Sequence, residues 1–269
     1  MRKFLERYRY SIILLKQLVK TDFKLRYQGS VLGYVWSLLK PLLIFVVLYF
    51  VFSWFIGKPQ IPHFSVYLLL GIVLWNYFVE VTMGSVGAIV GRGDLLRKIN
   101  FPKYVIILAV SFSALINLLL NFVVIGIFMA FGHVGLTWMA LLIFPIIFEL
   151  FVLAIGLAFF LSALFVKFRD ISYIWEVVVQ AGFYAVPILY LLSRPGIPHR
   201  VAELMILNPI AQIIQDARYV LITKQTITIN QVFGGDKWIW LIPISITILI
   251  TVAAGLYFRS RSRFFAEDV

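Results

Sequence analysis

Residues 64–131 read FSVYLLLGIVLWNYFVEVTMGSVGAIV, then GRGDLLRKINFPK, then YVIILAVSFSALINLLLNFVVIGIFMAF. Two apolar runs, 64–90 and 104–131, flank a loop that carries Arg92, Arg97, Lys98 and Lys103. Each run exceeds the roughly 18 apolar residues that a spanning helix needs. The pattern repeats outward. Further apolar runs cover 31–56, 137–166, 171–192 and 238–258, so the sequence predicts an all-α membrane protein with six transmembrane helices. Composition agrees: 62% of residues are hydrophobic and 13% charged, with a mean hydropathy of +0.98, against about 25% charged in a soluble domain.

The net charge of +12 is distributed unevenly. Residues 1–30 hold eight Lys/Arg, the loop after the second run four, the turn after the fourth Lys167 and Arg169, and the tail Arg259, Arg261 and Arg263. The first and third loops hold only Lys58. The positive-inside rule therefore places both termini in the cytoplasm, and the long, mixed-charge fifth loop counts less. A basic total also suits nucleic acid, but here the charge follows one membrane face, which disfavours a nucleic-acid partner. There is no cysteine, hence no disulfide or thiolate metal site, and no segment reads as a cleavable signal. The chain divides into residues 1–30, the six-span domain 31–258, and a tail 259–269.

Residues 3–26 place Phe4, Tyr8, Ile12, Leu15, Val19 and Phe23 at three- and four-residue spacing, with Lys16, Lys20 and Lys24 on another stripe. This predicts an amphipathic interface helix, apolar toward membrane lipid and cationic toward headgroups. In loop 91–103, Asp94 caps a short amphipathic helix running to Ile99, and Pro102 restarts the chain. Such a helix suits docking into another protein; Asp94, Leu95, Leu96, Arg97 and Lys98 are the candidates, and a purely topogenic basic loop is the alternative. Residues 193–237 differ again. Pro195, Gly196 and Pro198 open the segment, which is too polar to span yet too apolar for a free loop. Asn208-Pro209 divides it into two short helices that dip into the outer leaflet and return, tolerable only if buried in protein or lining a cavity. This re-entrant segment, 195–222, presents Ile206, Ile210, Ile213 and Ile214 as a candidate outer gate, with Glu203, Asp216 and Arg218 as its charges.

Glu80, Glu149 and Glu176 lie inside apolar runs, where acids are functional candidates by default. Hydrogen-bonded packing and proton relay are both open for Glu80 and Glu149. Glu176 is placed to pair with Arg169 or the interface helix. Asn117, Asn121 and Gln180 read as interhelical donors, and Gly87 and Gly91 as a small-residue packing face. Trp36, Tyr49 and Phe52 in the first run, and Phe183 and Tyr184 in the fifth, are either interfacial anchors or stacking surfaces for sugars. No G-x-x-x-x-G-K-[ST] and no HExxH occurs, and His63, His133 and His199 sit in different loops. Nothing supports catalysis or a metal centre.

RYQGSVLGYVWSLLKPLL (26–43), LLRKINFPKYVIILA (95–109), FRDI (168–171) and LNPIAQIIQDARYVL (207–221) together resemble the membrane permeases of polysaccharide-exporting ABC transporters, the teichoic acid, O-antigen and capsule exporters. The resemblance spans nearly the whole chain. It implies a type-2 ABC exporter fold that works as a homodimer, each copy bound to one cytoplasmic nucleotide-binding subunit, with ATP and Mg on that subunit and no cofactor in this chain. It implies that loop 91–103 is the main coupling helix, that Arg169 and Asp170 make a second contact, and that residues 204–221 form the gate. The implied substrate is a polymer linked through diphosphate to undecaprenol, in a bacterial cytoplasmic membrane. Arg26 and Lys40 are then candidates for the lipid diphosphate, since a lysine near the start of a span reaches headgroup level. A lipid or drug ABC permease and a proton-coupled flippase using Glu80 and Glu149 stand as alternatives.

Overall fold

The computed structural model describes residues 2–26, 29–33, 35–54, 61–98, 101–192, 198–235 and 238–265, with the backbone alone at 2–8, 23, 25, 26 and 96. Regular structure among them is helical throughout: α1 (Arg2–Arg26), α2 (Val35–Trp54), α3 (Phe64–Val86), α4 (Gly93–Lys98), α5 (Tyr104–Phe131), α6 (Ile143–Lys167), α7 (Ile171–Ala185), α8 (His199–Ile206), α9 (Pro209–Leu221), α10 (Ile229–Val232) and α11 (Leu241–Arg261). Tight 3₁₀ turns at Val90–Arg92 and Trp138–Leu142 lead into α4 and α6. Helices satisfy their own backbone, which is why an apolar solvent selects them.

Five stretches among the described residues are long and apolar enough to cross a bilayer: α2, α3, α5, the combined 138–167 segment and α11. The predicted fifth span is shorter than expected. α7 has 15 residues, about 22 Å of helix against a hydrocarbon core of about 30 Å. Val186 turns extended (φ −84°, ψ 140°) ahead of Pro187, the geometry a following proline favours. Val186 to Leu189 continue as buried, non-helical chain.

α3 forms the centre. It packs on α2, α5, α6, α7 and α9 and is buried along its length, whereas α2 turns Val46, Val47, Phe50 and Trp54 outward. α11 lies on α6 at close range: a Cβ on Gly156 would meet Thr251 Oγ1 at 2.6 Å, and that hydroxyl donates to the Val152 carbonyl at 3.1 Å. The small residue that lets two helices approach is therefore Gly156. Gly87 and Gly91, expected as such a face, lie beyond the end of α3, and nothing approaches Gly91.

α1 packs along α5. Ser11 is buried there and Leu14, Leu15 and Leu18 rest on the core, while Ile12 and the three lysines of the cationic stripe are exposed. Leu15 of the stripe predicted to face lipid thus packs on protein, with Leu14 and Leu18 beside it; the side chains of Phe4, Tyr8 and Phe23 lie outside the described residues. The tail is held as far as Phe265. Lys103 at the foot of α5 donates to the Ser262 carbonyl and faces the Phe265 ring at 5.7 Å, and Phe265 is buried against Phe258. The α1 region around Asp22, the approach to α4, the foot of α5, the α6–α7 turn and the tail up to Phe265 share one face of the bundle, the terminal face; the turns at 61–63, 132–137 and 222–224 share the other.

Candidate functional site

A cavity of about 800 Å³ opens between α2, α3 and α5. Trp36, Ser37, Lys40 and Pro41 line it from α2; Asn76, Tyr77, Glu80 and Met83 from α3; Asn117 and Asn121 from α5. Its polar wall is cross-tied. Asn117 Nδ2 donates to Glu80 Oε1 at 2.7 Å, and Asn121 Nδ2 donates to the Asn117 and Ser37 carbonyls at 2.8 and 3.3 Å. Glu80 is thereby held on the α3 wall by an amide two helices away in sequence. Lys40 is exposed and is the cation among the lining residues. Lying five residues into α2 from Val35, it sits roughly 8 Å along the helix from the terminal face, within snorkelling reach of headgroups. The Arg26 side chain lies outside the described residues.

The five aromatic candidates separate into two groups. Tyr49 stacks near Phe64 (6.3 Å) and Phe45 (5.6 Å), Phe52 meets Phe64 (6.2 Å), and Phe183 meets Trp75 (6.3 Å). These three knit α2 and α7 to α3. Trp36, 44% exposed on the cavity rim, and Tyr184, 68% exposed on α7, keep faces open to a ligand.

On the terminal face, Asp94 lies in the first turn of α4 rather than before it, since the helix begins at Gly93. An acid there still complements the helix dipole. Leu95 rests on the core, Arg97 and Lys98 are exposed, and the Leu96 side chain lies outside the described residues. Arg92, just before α4, forms a two-pronged pair with Asp22 of α1, at 2.6 and 2.5 Å. α4 is therefore tied to the interface helix. Arg169 and Asp170 are exposed at the α6–α7 turn; the Arg169 guanidinium lies over the Phe165 ring at 5.3 Å, and Asp170 makes no side-chain cap. Phe165 approaches Gly87, where a Cβ would lie 3.9 Å from its ring. Phe165, beneath Arg169, thus approaches the end of α3 that leads toward α4. Glu176 is exposed, and its carboxylate accepts from Gln180 at 3.5 Å rather than from Arg169.

The far face is covered by α8 and α9. The predicted break is present: Asn208 caps α9 by accepting from the Ile210 N–H at 3.0 Å, and Pro209 opens the helix. Residues 195–197 of the predicted segment lie outside the described residues. Ile206, Ile210, Ile213 and Ile214 are buried within the protomer, Ile206 in a small cluster with Ala202 and Ile229, the others in the main core. They anchor the segment; the surface it offers is Leu204 and Val201. The apolar stripe predicted to seal a pore points inward because α9 needs it against α3 and α6.

The family pattern of the ABC-2 type transporter membrane domain matches residues 13–222, from within α1 to the end of α9. This chain belongs to the ABC-2 type transporter family. As an ABC-2 membrane chain it is a multi-pass transport subunit. It is 29% identical over 270 residues to the O-antigen export system permease protein RfbA of Myxococcus xanthus, with 98% of both chains covered. Two RfbA permeases of Klebsiella pneumoniae are 27% identical over 261 residues, covering 95% of each chain, and 29% identical over 211 residues, covering 76% of this chain and 78% of theirs.

The residue of this ABC-2 chain that sequence reasoning undervalued is Arg218, 0% exposed. Its Nε donates to the Tyr67 carbonyl (3.0 Å), Nη1 to the Pro187 carbonyl (2.6 Å) and Gln215 Oε1 (3.1 Å), and Nη2 to the Ile188 carbonyl (2.8 Å). Its plane lies 3.6 Å over the Tyr67 ring. The guanidinium thus supplies donors where α7 has ended and the chain runs non-helical at depth, and joins α3, α9 and the 187–188 stretch. The signal was visible: Arg218 falls on the stripe of Ile210, Ile214, Ala217 and Leu221, and a cation on an apolar helix face needs a built partner set.

Proposed function

We propose that this chain is the channel-forming permease of an ATP-driven exporter that moves an undecaprenyl-diphosphate-linked polysaccharide or teichoic acid across the bacterial cytoplasmic membrane. The observation that carries the reading is the cavity on α2, α3 and α5, whose lining cation, Lys40, lies at headgroup depth beside the exposed Trp36 ring. A diphosphate brings at least two negative charges to that level, and an indole face accepts a sugar. The names of the relatives point the same way. The chain has no phosphate-binding loop, so ATP and Mg belong to a separate nucleotide-binding subunit. That subunit docks on α4 and the 168–170 turn, which makes the terminal face cytoplasmic and leaves this chain without enzymatic activity of its own.

Two copies complete the pathway. α2 and α7 expose their apolar flanks most fully, with Val46, Val47 and Phe50 on one and Tyr173, Val177 and Tyr184 on the other. A two-fold axis along these flanks encloses a channel that one bundle cannot form. α8 and α9 re-enter the outer leaflet and close its far mouth. The test is the ATPase activity of the assembled complex in nanodiscs with lipid-linked polymer added. Lys40→Arg keeps polymer stimulation and Lys40→Glu abolishes it, with basal hydrolysis retained in both. Equal stimulation of the Lys40→Glu complex would remove Lys40 and its cavity from the pathway.

A further inference from the structure

A second cavity, of about 780 Å³, lies on the far half of the bundle between α6, α9, α10 and α11. The transport reading makes no use of it. Glu149 of α6 and Asp216 of α9 both line it, and among the described residues no lysine or arginine does. Gln212 joins the two acids: it donates to Asp216 Oδ2 at 2.6 Å and lies beside Glu149. Lys224 sits over the Tyr219 ring at 4.0 Å, outside the lining. Two carboxylates at membrane depth with no cation among the lining side chains are costly unless something compensates them.

The remaining polar atoms sharpen the requirement. Gln212, 3% exposed, and Thr247, 2% exposed, line the cavity with Oε1 and Oγ1 lacking any hydrogen-bond partner. Glu149 Oε1 and Asn230 Oδ1 lack one too. The set is nearly all acceptors, so it asks for a ligand rich in N–H donors. A bare divalent ion does not fit. Calcium or magnesium needs about six oxygens within roughly 2.6 Å, whereas no group of three acidic or histidine side chains converges among the described residues, and the cavity is large with apolar walls of Ile146, Val220 and Ile244. Trp240 adds an aromatic face that suits an organic cation. At the mouth, Leu142, Phe148 and Ile248 are half or more exposed. Exposed apolar rims of this kind suit a ligand that arrives from hydrocarbon.

We propose that this cavity binds a primary ammonium group, brought by the headgroup of a membrane lipid. The three N–H bonds of the ammonium meet Glu149, Asp216 and the Gln212 oxygen, while its chains lie along the α6–α11 groove between Phe148 and Ile248. The site is separate from the Lys40 cavity, so it stands whether or not that cavity admits the polymer.

The test uses the delipidated full-length protein in detergent. Phosphatidylethanolamine is titrated against phosphatidylcholine of the same acyl chains, with binding read by native mass spectrometry. The quaternary headgroup keeps the charge but has no N–H donor. We expect the ethanolamine lipid to bind about tenfold more tightly, and Glu149→Gln with Asp216→Asn to erase that preference. Gln212→Met, which removes the third acceptor and no charge, should narrow the preference to a few-fold. Free ethanolamine at millimolar concentration that leaves the preference intact supports the lipid as the source; full competition by it keeps the ammonium site but overturns the lipid assignment. Equal binding of the two lipids by the unaltered protein overturns the proposal, and needs no variant to fold.

Discussion

Replacing Arg218 with methionine removes the guanidinium but keeps most of the side-chain volume. Four acceptors then lose a donor: the carbonyls of Tyr67, Pro187 and Ile188, and Gln215 Oε1. A buried acceptor left unsatisfied costs about 1–3 kcal/mol. Gln215 Oε1 keeps the Tyr67 hydroxyl at 3.2 Å, and relief of the desolvation of a buried cation offsets part of the rest, so the net loss should be about 3 kcal/mol. For a chain of this size that corresponds to a fall of about 10 °C in the thermal midpoint. Arg218→Lys should fall between, because an ammonium cannot fork to the Pro187 and Ile188 carbonyls together. The assay is fluorescence-detected size-exclusion chromatography of heated, detergent-solubilised protein, with limited proteolysis of the 186–198 region as a local readout. The midpoint of Arg218→Met lying within about 2 °C of the parent, with unchanged proteolysis, would refute the reasoning.

Gly71→Ala should be nearly as damaging as the Arg218 changes, because a Cβ there collides with the Arg218 guanidinium; overpacking costs about 1–3 kcal/mol, read as a midpoint shift by the same heating assay. Asp22→Asn should weaken the tie between α1 and α4 by about 1 kcal/mol and reduce ATPase coupling, and the exchange Asp22→Arg with Arg92→Asp should recover it. Arg97→Glu with Lys98→Glu should abolish capture of the nucleotide-binding subunit on affinity resin while membrane insertion stays normal. Ile210→Ser with Ile213→Ser should lower the thermal midpoint, since burying hydroxyls without partners costs about 1–3 kcal/mol each, whereas Leu204→Ser on the exposed face should leave the midpoint alone and raise the dye permeability of vesicles.

The helices were legible because lipid leaves a chain few options: long apolar runs must bond internally, and their ends fall where Gly, Pro and charge cluster. The run 104–131 coincides with α5, and Asn208-Pro209 splits α8 from α9. Other features depend on partners distant in sequence. The non-helical stretch after Ala185 is tolerated because Arg218, about thirty residues on, takes the Pro187 and Ile188 carbonyls. The inward turn of the Ile210 stripe depends on α3 and α6 needing cover. The acid Glu149 looked isolated until α9 placed Gln212 and Asp216 beside it. Lys40 was readable as a cation near the start of the first run, but the Glu80–Asn117–Asn121 wall behind it was not, since it joins residues 37 positions apart on α3 and α5.

Transport measured directly in sealed proteoliposomes tests the central claim. The chain is reconstituted with its nucleotide-binding subunit outside, and lipid-linked polysaccharide reaching the lumen is counted. The account predicts lumenal polymer only with ATP and the partner subunit present, undiminished when the proton gradient is collapsed. Transport by this chain alone, without ATP and stopping on collapse of that gradient, would contradict it.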